Sequence, residues 1–471
     1  MFTRTPSSRG IGRILLLLAL LASVAGIQAQ DIERIKPAVS EVEPAPGPAK
    51  ITLPPEDEEG EISDEKVGEI TGIALVGHPD LAKPDTPPSV KGVEVLDEDL
   101  LVPDGVIEEL DSYIDGPLSL KVVNDIARST VLAYRKAGLP VVDVAFPEQD
   151  VSTGVLQLVV VVAKAGEITL KGNKFFKDDI YLRSFRLEPG DVIKADKVNG
   201  DLRYLNRSPY RNVGVVYSPG EEFGQTNLTI ETEERRPYSA YVGYDDTGNS
   251  LIGIDRMFFG LEWGNVFGLD HQAGYQYTTT TEFEGLHAHA ASYRIPFAKT
   301  WHELILLAGY VESLAEIPAA GEILETGGQS TQLSAMYSIP LPEIMDYTTD
   351  FRAGFDFKST NNNLEFGGAE LIDSTAEVYQ FSAGFQAVKR QDFGRQILQT
   401  KLVWSPGDLS NHNSDEAVQQ LRGLGSADYF YWNGEFTQIV NLPRDFILVA
   451  EVEGQVSNGN LLPSETMVLG G

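Results

Sequence analysis

His287 and His289 stand two residues apart in an extended run, so their imidazoles would share one face of a strand. Such a pair could take up a metal ion, or could face a pore or a membrane interface. Asp245-Asp246, and Asp356 with Glu365, could serve as carboxylate pairs for acid–base chemistry, or form the solvated rim of an acidic chain. Gly327-Gly328 and Gly367-Gly368 read as turns. There is no Gly-x-Ser-x-Gly elbow, no His-Glu-x-x-His and no phosphate-binding loop. The chain holds no cysteine, which excludes thiol catalysis, thiolate metal sites and disulfides. With 37 Lys and Arg against 69 Asp and Glu the formal charge is −32, which repels nucleic-acid phosphate. No cofactor or nucleotide is expected, and the chemistry that remains is binding rather than enzymatic turnover.

The 471 residues allow roughly two to four domains. Arg4, Arg9 and Arg13 precede an apolar run from Ile14 to Ala25, and Ile27-Gln28-Ala29 offers a small-residue cleavage site. The run falls short of the ~20 residues of a spanning helix, so residues 1–29 are expected to be a secretory signal. Residues 30–66 read as a tether: Pro37, Pro44, Pro46, Pro48, Pro54 and Pro55 interrupt helices, and Glu56-Asp57-Glu58-Glu59 repels itself.

From Val67 to Lys164 the pattern predicts strand, helix, helix, strand, strand. Ser119 can cap a helix whose apolar residues Val123, Ile126, Ala127, Val131 and Tyr134 share a face, and Gly138 and Pro140 end it. Strands are expected at Val141–Phe146 and Val155–Val162. The same order recurs over 165–234, with strands near Asn212–Tyr217 and Thr226–Glu231.

Past Pro237 the helical period gives way to alternation. Phe351, Ala353, Phe355 and Phe357 alternate with Arg352, Gly354, Asp356 and Lys358; Tyr379, Phe381, Ala383 and Phe385 alternate with Gln380, Ser382, Gly384 and Gln386. A soluble β-sandwich would show the same period. Segments of about ten residues, aromatic residues at their ends (Trp263 and Phe267, Tyr429 to Trp432) and a polar face too charged for a core favour a membrane barrel with a wet lumen. About eleven strands are expected between Tyr238 and Val456. The fold class is therefore mainly β: two small α/β domains and then an antiparallel transmembrane sheet over 235–471.

The segments Ala137-Gly138-Leu139-Pro140-Val141, Phe146-Pro147-Glu148-Gln149-Asp150-Val151 and Gly154-Val155-Leu156 are similar to a POTRA module of two-partner secretion transporters, the hemolysin secretion/activation family. Lys171-Gly172-Asn173-Lys174-Phe175-Phe176 and Leu205-Asn206-Arg207-Ser208-Pro209-Tyr210-Arg211 resemble the second such module. Gly243-Tyr244-Asp245-Asp246-Thr247-Gly248 looks like the start of that family's barrel. Ser405-Pro406-Gly407-Asp408 with Asn411-His412-Asn413-Ser414-Asp415 resembles an outer loop. Leu462-Pro463-Ser464-Glu465 and Leu469-Gly470-Gly471 resemble the approach to its large loop folded into the lumen. The family continues into a Val-Arg-Gly-Tyr segment and closing strands, whereas this chain stops at Gly471, so the expectation is an incomplete barrel. Asp31–Ser40, short and broken by Pro37, makes the family's plug helix doubtful here.

The resemblance implies an outer-membrane transporter, lipid-embedded and monomeric, with POTRA domains in the periplasm. They would capture an unfolded secreted partner protein and pass it through the barrel, with folding outside supplying direction. In a POTRA sheet the middle-numbered strand is an edge, whose free N–H and C=O groups can take an extended client as a further strand. The expected edges carry Val141, Val142, Val144 and Phe146 in the first domain and Val213, Val215 and Tyr217 in the second. Each could instead be a covered edge that only packs against its neighbour. The rival readings are a factor that inserts other outer-membrane proteins, a passive porin, and a non-functional truncated product.

Overall fold

The structure is a computed structural model describing residues 51–52, 64–83, 89–246, 248, 252–319, 322–366, 369–391 and 393–467. The signal segment, most of the tether, Pro84, Pro87, Pro88, Thr247, the Gly367-Gly368 turn and Leu469-Gly470-Gly471 lie outside the described residues. So does the side chain of Glu365. One compact unit ends at Arg235 and another begins at Arg236.

In the first unit, strands β1 (Ile51–Thr52), β2 (Gly68–Glu69), β3 (Gly72–Val76), β4 (Gly92–Val95) and β5 (Pro117–Leu118) come in chain order with helices α1 (Asp104–Asp111) and α2 (Leu120–Lys136). Strands β6 (Val142–Ala145) and β7 (Val155–Val162) follow. The first sheet runs β4-β3-β7-β6. Helix α2 begins as expected: Ser119 Oγ accepts the Val122 N–H at 3.3 Å. It ends at Gly138, whose φ of +85° needs no Cβ. Ile126, Thr130 and Tyr134, four apart, lie fully buried beside Leu75, Leu156, Leu158 and Val160. Each large apolar side chain so buried contributes roughly 1.5–3 kcal/mol. Thr130 hides its hydroxyl by donating to the Ile126 carbonyl at 2.6 Å, and Tyr134 donates to the Leu101 carbonyl at 3.0 Å. Strand β4 was not anticipated. It pairs parallel with β3.

The second domain has β8 (Lys164–Lys171), α3 (Asp178–Ser184), α4 (Ala195–Leu205), β9 (Arg211–Pro219) and β10 (Gln225–Glu234), with β10 between β8 and β9. Gly172 turns the chain after β8 at φ +93°, and a Cβ there would stand 2.2 Å from the Thr232 carbonyl oxygen. The turn is fastened by Glu234, whose carboxylate accepts the N–H groups of Lys174 and Phe175 and the Tyr181 hydroxyl. Arg211 is buried at the start of β9. It donates Nε to the Leu205 carbonyl at 2.7 Å, with its guanidinium 5.1 Å from the Phe176 ring and 5.5 Å from that of Tyr181.

The second unit is an eleven-stranded antiparallel meander in which every strand pairs with its sequence neighbours. It comprises β11 (Tyr238–Asp245), β12 (Arg256–Val266), β13 (His271–Thr280), β14 (Leu286–Pro296), β15 (Glu303–Ala319) and β16 (Glu322–Ile344). It continues with β17 (Tyr347–Phe366), β18 (Ala369–Gln391), β19 (Gly394–Pro406), β20 (Asp428–Asn441) and β21 (Ile447–Ser457). A helix α5 (Asp415–Leu421) lies between β19 and β20. Among the described residues β11 and β21 pair on one side only. Four strands run to well over the expected ten or so residues: β15 to β18 have 17, 23, 20 and 23. Backbone pairing continues there after the apolar alternation stops, because main-chain bonds do not depend on side-chain polarity. Register sorts the faces. Phe355 is opposite Phe381, which is opposite Trp404, and their rings lie 5.3 and 5.9 Å apart. Gly354, Ser382 and Val403 form the neighbouring rung on the other face.

Candidate functional site

The expected edges can be placed by following where the backbone groups point. In the first domain β6 is the last strand of its sheet and pairs only with β7 among the described residues. Val142, Val144 and Phe146 turn their side chains onto the first core, while Asp143 and Ala145 are exposed. Val141 precedes the strand, and its carbonyl accepts the Ala163 N–H at 3.1 Å.

In the second domain Val213, Val215 and Tyr217 are buried. Val213 presents its N–H to Asn206 Oδ1 at 2.7 Å and its carbonyl to Asn206 Nδ2 at 2.9 Å. Both peptide groups of Val213 therefore turn away from β10. By the alternation of an antiparallel pair, those of Val215 and Tyr217 turn the same way. The side chains of this row face the core and its backbone faces outward. The outward row is in use: β1 lies along it in parallel, Ile51 with Val215 and Thr52 with Val216. An Asn amide closes one end of the rim and a two-residue strand from the tether occupies its middle. Asn206 lies within Leu205-Asn206-Arg207-Ser208-Pro209, and its place at the C-cap of α4, where an amide can reach backbone groups, is the sequence signal for this role. Among the described residues the buried Tyr217 hydroxyl has no hydrogen-bond partner, and burial pushes its pKa up to about 12.

The other candidates separate. His287 and His289 do share a face, and each Nδ1 is 2.7 Å from a tyrosine hydroxyl, Tyr277 and Tyr275 respectively. His271 pairs with Tyr293 in the same manner at 2.9 Å. Those tyrosines alternate with Gln276 and Thr278, so the histidines stand on the apolar, aromatic face of the sheet. Among the described residues no cluster of three metal ligands is found. Asp245 is held by Arg256 Nε at 3.0 Å, and Asp356 faces the Lys401 ammonium at 3.9 Å.

The polar face gathers Arg352, Asp356 and Lys358 from β17, Gln380 and Gln386 from β18, Gln399 and Lys401 from β19, and Glu435 from β20. The opposite face presents Phe351, Phe355, Phe381, Leu398, Leu402, Trp404, Trp432 and Phe436, all exposed. A sheet apolar on one side and charged on the other suits lipid outside and water inside.

Comparison with known proteins gives these arrangements a context. The description "Haemolysin secretion/activation protein ShlB/FhaC/HecB" matches residues 224–471, "POTRA domain, ShlB-type" matches 89–162, and a second POTRA description, "Surface antigen variable number repeat", matches 163–235. The heme/hemopexin transporter protein HuxB of Haemophilus influenzae is 20% identical over 391 residues, covering 81% of this chain and 67% of its own length. The outer membrane transporter CdiB of Dickeya dadantii is 23% identical over 182 residues, 37% of this chain and 32% of that protein. The solved structure of CdiB from Escherichia coli superposes with a TM-score of 0.67 at 16% identity, covering 100% of this chain and 80% of that one.

Proposed function

Because the chain belongs to the haemolysin secretion/activation protein family ShlB/FhaC/HecB, we propose that its POTRA domains capture an unfolded secreted partner by strand addition and hand it to the barrel. Members of this family are two-partner secretion transporters of the outer membrane with periplasmic POTRA domains, and they are not enzymes. The finer steps proposed are where the client docks and how it leaves. The domain limits that go with them are 67–164 and 165–234 for the two POTRA domains and 235–471 for the barrel segment.

One observation carries the docking step. The rim of β9 already accepts an extended segment, Ile51–Thr52, through the backbone groups of the row that includes Val215. A rim that binds main chain reads little side-chain identity, which suits a client presented unfolded. The free edge of β6 offers a second place of the same kind. Beyond the rim, the polar face of the sheet gives the chain a wet path, and refolding of the client outside supplies direction.

The experiment is a titration of fragment 43–235 with extended segments of the secreted partner. Val215→Pro removes an N–H that points outward, so no bond to β10 is lost with it. Binding should fall in the folded variant; unchanged affinity would reject capture at β9.

A further inference from the structure

The longest connection in the sheet, residues 407–427 between β19 and β20, does not stand away from the strands. Its helix α5, capped by Ser414, buries Val418 and Ala417. Val418 joins an apolar cluster with Ala376, Val378, Val403, Tyr429 and Tyr431. Val403 lies between Leu402 and Trp404 of the apolar face, and Tyr431 between Phe430 and Trp432, so the cluster stands on the polar face. The segment that follows β21 enters the same cluster with Leu461 and Leu462. The two segments also touch through their backbones, Gly425 bridging Asn460.

Beneath this cluster is a buried carboxylate. Glu465 is 4% exposed. Lys358 Nζ of β17 donates to its Oε1 at 2.7 Å, and the Tyr431 hydroxyl of β20 donates to its Oε2 at 3.1 Å. Gln380 Nε2 of β18 donates to Oε2 as well. Gln455 of β21 holds the adjacent backbone, donating to the Glu465 carbonyl at 2.7 Å and accepting the Met467 N–H at 3.0 Å. Four strands thus spend polar-face groups, which would otherwise meet water, on one residue of a connecting segment.

We propose that Glu465 is the pin of a lid, formed by residues 407–427 and 458–467, that is shut against the pore wall at rest and must lift for a client to pass. This rests on reading the polar face as the wall of a pore. The apolar cluster gives the lid adhesion without direction. The carboxylate fixes its position, because a buried anion is tolerated only where its cation and donors are in place. Neutralising Glu465 removes the charge that the Lys358 ammonium holds at 2.7 Å and frees the segment to swing away. Glu465 is a positioning residue; it need not touch the client.

The chain's lack of cysteine makes the test direct. In the full-length protein in outer membranes, Leu462→Cys reports lid opening by its rate of reaction with a maleimide. Val311→Cys, fully buried in a separate cluster, reports general loosening. The expected result is slow labelling of the Leu462→Cys protein, about tenfold faster when Glu465→Gln or Lys358→Met is added, with the Val311→Cys site protected throughout. An unchanged rate at position 462 would overturn the proposal. So would parallel exposure at both sites, which would make Glu465 a support of the whole sheet. Client capture by fragment 43–235 contains none of these residues, so a failed lid and a failed capture step are told apart.

Discussion

Ile51 pairs with Val215 in parallel register, so the rim of the second POTRA sheet holds a piece of its own chain where a client strand is proposed to add. An internal segment at that rim is a competitor. Replacing Ile51 and Thr52 with proline removes the one N–H of the pair that faces β9, that of Thr52, since neighbouring residues of a strand turn their N–H groups to opposite sides. Each net backbone hydrogen bond lost is about 0.5–1.5 kcal/mol, so client segments should bind fragment 43–235 roughly three- to tenfold more tightly. Val215→Pro in the same fragment should act in the opposite sense. Equal affinities for the proline variant and the parent would mean that tether and client use different surfaces.

Arg211 tests what keeps that rim in place. Its guanidinium is buried between the Phe176 and Tyr181 rings and fastens the start of β9 to the Leu205 carbonyl at the end of α4. Arg211→Ala removes a charge-assisted hydrogen bond and the ring contacts and leaves a void. A loss of about 3 kcal/mol is expected in urea unfolding of fragment 43–235. Arg211→Lys should rescue little of it, since a point charge on a flexible stem cannot lie flat between two rings. A variant within about 0.5 kcal/mol of the parent would show that β9 is held by its strand pairing alone.

The two POTRA domains were legible because their signals are local. Ser119, the shared face of Val123, Ile126, Ala127, Val131 and Tyr134, and Gly138 each act within a few residues, and the structure places the helix between Ser119 and Gly138, with Ile126 and Tyr134 fully buried. The strand count of the sheet was legible for the same reason, since alternation has a period of two. What was missed depends on partners far away in sequence. Nothing in Ile51-Thr52, beside Pro54-Pro55 and a run of acids, marks it as a strand; its partner lies more than a hundred and sixty residues on. Strand β4 exists because β3 offers it a parallel edge. Glu465 closes the Leu462-Pro463-Ser464-Glu465 motif, yet its burial is set by Lys358, 107 residues earlier. Long-range pairing of a lone carboxylate leaves no period to read.

Asp191 offers a pH test inside the second domain. The hydrogen bond from Lys197 Nζ at 2.6 Å, helped by the Glu188 N–H, holds its carboxyl below the usual aspartate range. A depressed folded pKa contributes stability that is present above the unfolded value of ~3.9 and is lost as pH falls through the folded value. Carboxyl NMR titration of fragment 43–235 should place the Asp191 midpoint below that of a free aspartate, and Lys197→Ala should raise it. A midpoint that ignores the substitution would assign the shift to the backbone donor.

The two faces of the sheet make the last prediction, through a pair of adjacent residues. Ala383 lies opposite Ala353 and Leu402 on the apolar face; Ser382, one step away, lies opposite Gly354 and Val403 on the polar face. If the apolar face meets hydrocarbon, an arginine at 383 must hold its charge in lipid or bend away to reach the headgroups. In barrels of this kind that costs roughly 2–4 kcal/mol near the bilayer centre. An arginine at 382 would stand on the polar face, at the edge of the cluster that covers Val403 and within reach of Asp356, and should cost ~1 kcal/mol or less. The full-length protein, refolded into lipid vesicles across a urea series, reports both through the mobility shift between folded and unfolded barrel on a gel. Ala383→Arg should lower the urea midpoint well below that of Ser382→Arg. The reverse order would mean that the faces are assigned backwards, with the aromatic side turned inward. That would also remove the pore wall on which the Glu465 lid depends.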